Sequence, residues 1–124
     1  MTTDIPLFPL GTVLLPHGRL PLQIFERRYI DMVAECMREQ TGFGVVWLRQ
    51  GSEVDEEGAS GSLQIGDYGV LAHIVDWDQL PNGLLGITIE GSQRFHIEEA
   101  WIEESSLNVA RVELEPALAP EPLP

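Results

Sequence analysis

The sequence predicts a mainly β fold: a twisted, partly closed barrel of short strands with one main helix at about residues 27–40. Three observations carry this. Short apolar segments recur along the chain and are divided by twelve glycines and nine prolines, so sharp corners should separate them. Only one stretch shows apolar residues at three- and four-residue steps, the spacing of a packed helix. The remaining apolar runs are rich in β-branched and aromatic residues, which suit strands.

Ile5–Leu7, Thr12–Leu15 and Leu20–Phe25 read as three short strands, with Pro6, Pro9, Pro16 and Pro21 marking edges and corners because proline donates no ladder hydrogen bond. Arg27–Gln40 follows as the helix. Its apolar face is Tyr29, Ile30, Val33, Cys36 and Met37, and Gly42 can supply the left-handed stop. Glu26 and Arg38 suit the positive start and the negative end of the helix dipole. Phe43–Leu48 is a continuous apolar run expected to be a central strand. Gln50–Ser62 turns polar and acidic and reads as a loop. Strand signal resumes over Tyr68–Trp77 and ends at Leu80-Pro-Asn-Gly83, a strong turn. Leu84–Ile89 and Arg94–Ile97 alternate and read as a hairpin bridged at Glu90-Gly-Ser-Gln93. Leu107–Leu114 is the last strand.

The chain of 124 residues suits one domain, expected at 1–115, followed by a Pro-rich tail at 116–124 that should not pack. The single cysteine, Cys36, excludes an intrachain disulfide and a cysteine-based zinc site. With no basic-then-apolar start and no apolar run of about 20 residues, the expectation is a soluble, cytoplasmic protein. Charge is uneven. Five arginines and five carboxylates cancel within residues 1–50, so the net −13 belongs to the rest, where Arg94 and Arg111 face fifteen carboxylates. Such a field repels polyanions, which makes nucleic acid and anionic membrane poor partners. All seven basic residues are arginine. The absence of lysine excludes P-loop, Schiff-base and Ser–Lys chemistry.

Ile5-Pro-Leu-Phe-Pro-Leu10, Val13-Leu-Leu-Pro16, Gly18, Leu20-Pro-Leu-Gln-Ile-Phe-Glu26 with Arg28-Tyr29, and Met32 resemble the N-terminal, substrate-binding domain of the ATP-dependent Lon protease. Phe43-Gly44-Val45, then Gly69 with Ala72 and Ile74, and Gly91 with Arg94-Phe95 continue the resemblance in order, so that it covers residues 5 to about 114. The resemblance implies a PUA-like barrel and a role in recognising polypeptides rather than in chemistry. The ATPase and Ser–Lys peptidase modules of the protease need lysines and more length, so the chain looks like a stand-alone Lon N-domain-like protein. The family usually continues into a helical region, whereas this sequence ends in its Pro-rich tail.

Candidate sites are few. Phe25-Glu26-x-Arg28-Tyr29 reads as a structural corner, where a Glu and an Arg at a strand–helix junction pair locally. Glu53–Glu57 begins like a calcium loop, but the twelfth position is Gln64 instead of glutamate, so no metal is expected. His17, His73 and His96 lack metal spacing, and His73, in an apolar strand, reads as a hydrogen-bonded core histidine. Ser60, Ser62, Ser92, Ser105 and Ser106 lack a nucleophile elbow. Trp47, Trp77 and Trp101 are the better candidates, because Trp joins a large apolar area to one polar group, and Trp77, Leu80 and Trp101, near element ends, are the expected polypeptide-binding residues. The expected function is a non-catalytic polypeptide-binding module without cofactors, taking an unfolded or partly folded chain or a partner protein. A homodimer is left open, and an RNA-binding PUA-like module or a small-ligand-binding protein is the alternative.

Overall fold

The computed structural model describes residues 2–48 and 65–116. The Gln50–Ser62 loop, the calcium-like Glu53–Glu57 run and the tail beyond Pro116 lie outside the described residues. Among those described, six strands accompany one α-helix: β1 (Thr2–Leu10), β2 (Arg19–Ile24), α1 (Arg27–Glu39), β3 (Phe43–Leu48), β4 (Ile65–Gln79), β5 (Leu85–Ile102) and β6 (Asn108–Leu114). The sheet order is β2-β5-β4-β3-β1-β6, and β5 also pairs with β6, which closes the sheet into a pseudo-barrel. β1 and β3 are parallel, and the other pairs are antiparallel.

Closure depends on β5, and here the structure corrects the sequence reading. Glu90–Gln93 is not a hairpin turn but the bend of one continuous 18-residue strand. Ala72 pairs with Gly91 and Val70 with Arg94, so Ser92 and Gln93 together oppose Leu71 in a β-bulge. The Ser92 hydroxyl donates to the Leu71 carbonyl at 3.1 Å and holds the bend. The first half of β5 pairs with β2, and the second half pairs with β6. A Gly-Ser pair between two alternating runs has the same local signature for a turn and for a bulge, and only the pairing of β4 across it decides.

Thr12–Leu15 is also not a strand. It crosses the barrel as an irregular segment, pinned where the His17 N–H donates to the Gly91 carbonyl (2.8 Å) and the Gly91 N–H to the Gly18 carbonyl (2.9 Å). A side chain at Gly91 would place its Cβ 2.6 Å from the Leu15 carbonyl oxygen, so only glycine lets the segment lie this close. Leu14 is buried beneath it and plugs the core.

The helix buries Tyr29, Met32, Val33 and Cys36. Met37, expected on that face, is partly exposed, and Met32 is buried instead. It ends at Gln40, which takes the left-handed conformation (φ 58°) expected of Gly42. α1 covers one core with Leu14, Ile24, Phe43, Val45, Ile87 and Ile89, and a second core inside the barrel joins Ile5, Leu7, Val46, Phe95, Ala110 and Val112. β3 contributes to both cores, which explains its unbroken apolar run.

Gly69 leaves the space that the fully buried Phe95 ring occupies: a Cβ there would sit 2.4 Å from the ring and 2.6 Å from the Val45 carbonyl oxygen. Gly69→Ala is therefore expected to destabilise the fold by about 1–3 kcal/mol, read as a lower urea midpoint with an unchanged slope.

Candidate functional site

Side chains alternate across a strand, so Val45 and Trp47 share one face of β3, and Tyr68 and Val70 one face of β4. Val45 and Val70 are paired in register and packed into the core beneath Leu14. Trp47 and Tyr68 continue the same faces past the end of that core and are 59% and 60% exposed. The Thr12–Pro16 segment forms the facing wall, with Val13 and Leu15 also exposed. The result is an open apolar groove of about 390 Å³. Its polar rim is Arg94 and Glu115, tied by a hydrogen bond from the Glu115 N–H to the Arg94 carbonyl at 2.8 Å. Tyr68 is steadied by the His96 ring, 5.0 Å away. A groove of this kind can bury apolar side chains, each worth about 1.5–3 kcal/mol.

The residues expected to bind polypeptide are not brought together. Trp77 pairs with Ile87 near the start of β5, is 54% exposed, and borders a separate cavity with Met37, Gln40, Thr41 and Val75. Leu80 is half-buried against Gly86 in the β4–β5 turn. Trp101 lies near the far end of β5, half-buried, with the Arg111 guanidinium 5.9 Å from its ring centre. Of the residues that line the groove, Trp47 is a candidate from the sequence, whereas Val13, Leu15 and Tyr68 are not. The signal that could have found them is the face that Trp47 shares with Val45 near the end of the apolar run.

At the strand–helix junction, Arg28 Nε donates to Glu26 at 2.9 Å, its Nη1 donates to the Ser106 carbonyl at 2.7 Å, and its guanidinium lies 4.7 Å from the Tyr29 ring centre. Phe8 meets the Tyr29 ring edge-on at 4.7 Å, while the Phe25 side chain points to solvent and is 70% exposed. His73, expected in the core, is exposed, because its position on β4 faces away from the helix-covered core. Among the described residues, no three His, Cys, Asp or Glu side chains converge as a metal site would require. No described helix is long and apolar enough to cross a membrane.

A six-stranded pseudo-barrel with one packed helix defines a small β-barrel domain that carries an open apolar groove. Residues 4–122 match the family described as the ATP-dependent protease La (LON) substrate-binding domain, and the chain belongs to that family. A Lon protease 2 of Herpetosiphon aurantiacus is 31% identical over 117 residues, covering 93% of this chain and 14% of that protein. A Lon protease of Anaeromyxobacter dehalogenans is 27% identical over 110 residues, 88% of this chain and 12% of the relative. The chain thus spans only about one-eighth of the length of the curated relatives it matches. A Lon N-terminal domain protein from Xanthomonas campestris superposes with a TM-score of 0.77 at 32% identity, over 93% of this chain and 61% of that one. The N-terminal domain of a Mycobacterium avium complex Lon protease shares the fold at 15% identity, with a TM-score of 0.63 over 96% of this chain and 58% of the other.

Two predictions follow from the junction and the helix. The Tyr29 hydroxyl is buried and has no hydrogen-bond partner among the described residues, so Tyr29→Phe is expected to raise stability by about 1 kcal/mol in urea unfolding. Burial pushes the Cys36 thiol above its ordinary 9.0, with the Thr41 hydrogen bond opposing, and burial pushes Tyr29 above 10.0, with Arg28 opposing. Below pH 9 both groups hold their protons in native and unfolded chains, and this stability is fully present. Above it the unfolded chain ionises first, so the thermal midpoint should fall as pH rises from 9 towards the native values, and Cys36→Ala should remove the earlier part of that fall.

Proposed function

We propose that this chain is a non-catalytic polypeptide-binding module that takes apolar segments of unfolded or partly folded proteins, or of a partner protein, in the groove between the Thr12–Pro16 segment and Trp47 and Tyr68. The observation that carries this is the concentration of exposed large apolar side chains (Val13, Leu15, Trp47 and Tyr68) on one concave surface. Apolar surface gathered this way marks an interaction site when it is continuous, whereas single exposed residues do not. Membership of a substrate-binding family supports the same reading. So does charge: a net −13 keeps the module soluble while it presents apolar surface, and works against polyanions. The reading places the chain in the cytoplasm, in protein quality control, with no chemistry of its own.

Titration with a chemically unfolded, alkylated globular protein tests it. The wild-type chain should bind saturably, and the Trp47→Ala/Tyr68→Ala variant should bind about tenfold or more weakly with an unchanged circular dichroism spectrum, since both side chains are exposed. Absence of saturable binding at high micromolar concentration would sink the proposal, and so would RNA binding with a steep salt dependence in its place.

A further inference from the structure

Several stretches of sheet edge have no strand beside them among the described residues, and two of them contrast. One is the outer edge of β2. The other is the far half of β4, because β3 pairs with β4 only as far as Phe43 opposite Ala72, while β4 runs on to Gln79. They differ in chemistry. The Leu80 N–H donates to the Leu84 carbonyl at 2.9 Å, and bonded pairs alternate along an antiparallel ladder. Asp78 with Gly86 and Asp76 with Thr88 are therefore the bonded pairs of β4 and β5. Thr88 spends its backbone groups on β4, so Pro21, which faces Thr88 from β2, turns its missing donor outward. A proline there blocks strand addition to β2.

On β4 the same alternation sends the N–H and C=O groups of Trp77 and Gln79 away from β5, towards the open side. The Trp77 N–H donates to the Asp76 carboxylate at 2.9 Å. No proline lies between His73 and Gln79. Beside this edge Met37, Val75 and Trp77, all more than a third exposed, border a cavity of about 540 Å³. Asp76 and Asp78 are exposed along the same stretch.

We infer that the open edge of β4 at Trp77–Gln79 accepts an extended polypeptide segment as an added strand, one that alternates apolar side chains with lysine or arginine. Backbone pairing supplies the register, Met37 and Trp77 supply apolar contact, and Asp76 and Asp78 select for basic side chains. An incoming carbonyl takes over the Trp77 N–H and frees the Asp76 carboxylate for a cation. Charge argues against the occupants that the chain itself could offer. Residues 49–64 carry four carboxylates against Arg49, and residues 117–124 carry Glu121 among three prolines. A second copy paired edge to edge about a two-fold axis would set Asp76 and Asp78 against themselves. This site stands apart from the groove at Trp47 and Tyr68, and the failure of either leaves the other standing.

The probe is a synthetic peptide alternating Val with Lys, about seven residues long. Saturation with it should slow amide hydrogen exchange at Trp77 and Gln79 by about tenfold or more. Asp78→Lys should weaken binding by about tenfold. The same peptide N-methylated at alternate residues, on the bonding edge, should not bind. Unchanged exchange at the two amides, equal binding of the N-methylated peptide, or equal binding of a version with Glu in place of Lys would each overturn the inference. Loss of binding on Trp47→Ala would assign the peptide to the groove instead. Slowed exchange produced by raising the concentration of the protein alone would make the occupant a second copy.

Discussion

The bend in β5 is the constraint on which the rest of the structure depends. An 18-residue strand kept straight could serve only one pair of neighbours. By giving two residues, Ser92 and Gln93, to the single Leu71 opposite, β5 turns so that its first half holds β2 and its second half holds β6. Closure through β6 buries Phe95 at the centre of the inner core, against the space that Gly69 leaves open. The neighbouring Gly91 offers both its backbone groups to the His17–Gly18 turn, so the bend that closes the barrel also anchors the segment forming one wall of the groove.

Closure also determines which parts of the sheet stay available. A barrel abolishes edges only where strands match in length, and here they do not. β4 outruns β3, and β2 hangs outside the ring on β5 alone. Pro21 falls at the position of β2 where its missing donor faces outward. β4 has no such protection, and the short exposed face beside it holds Met37, Val75 and Trp77. The groove has a different origin: the faces of β3 and β4 simply run on beyond the core they help to build, and Trp47 and Tyr68 stay largely exposed there.

Electrostatics shape the surface more than the fold. The ion pairs Arg19–Glu90 and Arg111–Asp4 link neighbouring strands but are well exposed, and exposed pairs contribute little. Arg28 is different, because its guanidinium is shared between Glu26, a carbonyl of the β5–β6 connection and the Tyr29 ring, and so ties the start of α1 to the far end of the barrel. The acidic surplus after residue 50 has too few arginines to pair with, and remains as a field that favours basic or neutral partners.

The sequence by itself determined the class of fold, the helix, the central strand at Phe43 and the family, because each rests on short-range signals: a 3.6-residue period, an apolar run buried on both faces, and a dense Pro-punctuated motif. It also showed that a lysine-free chain is unsuited to lysine-dependent chemistry. What it could not decide were the events set by partners distant in sequence. Glu90–Gln93 reads as a turn until β4 is seen to pair across it, and Val13 and Leu15 read as a strand until no strand lies beside them. His73 reads as a core residue until Ala72 and Ile74 are seen to take the core face of β4. Trp47 joins Tyr68 and Leu15 only because β4 and the Pro16 segment meet at the end of β3. A binding surface is a juxtaposition of segments, and tertiary structure alone supplies it.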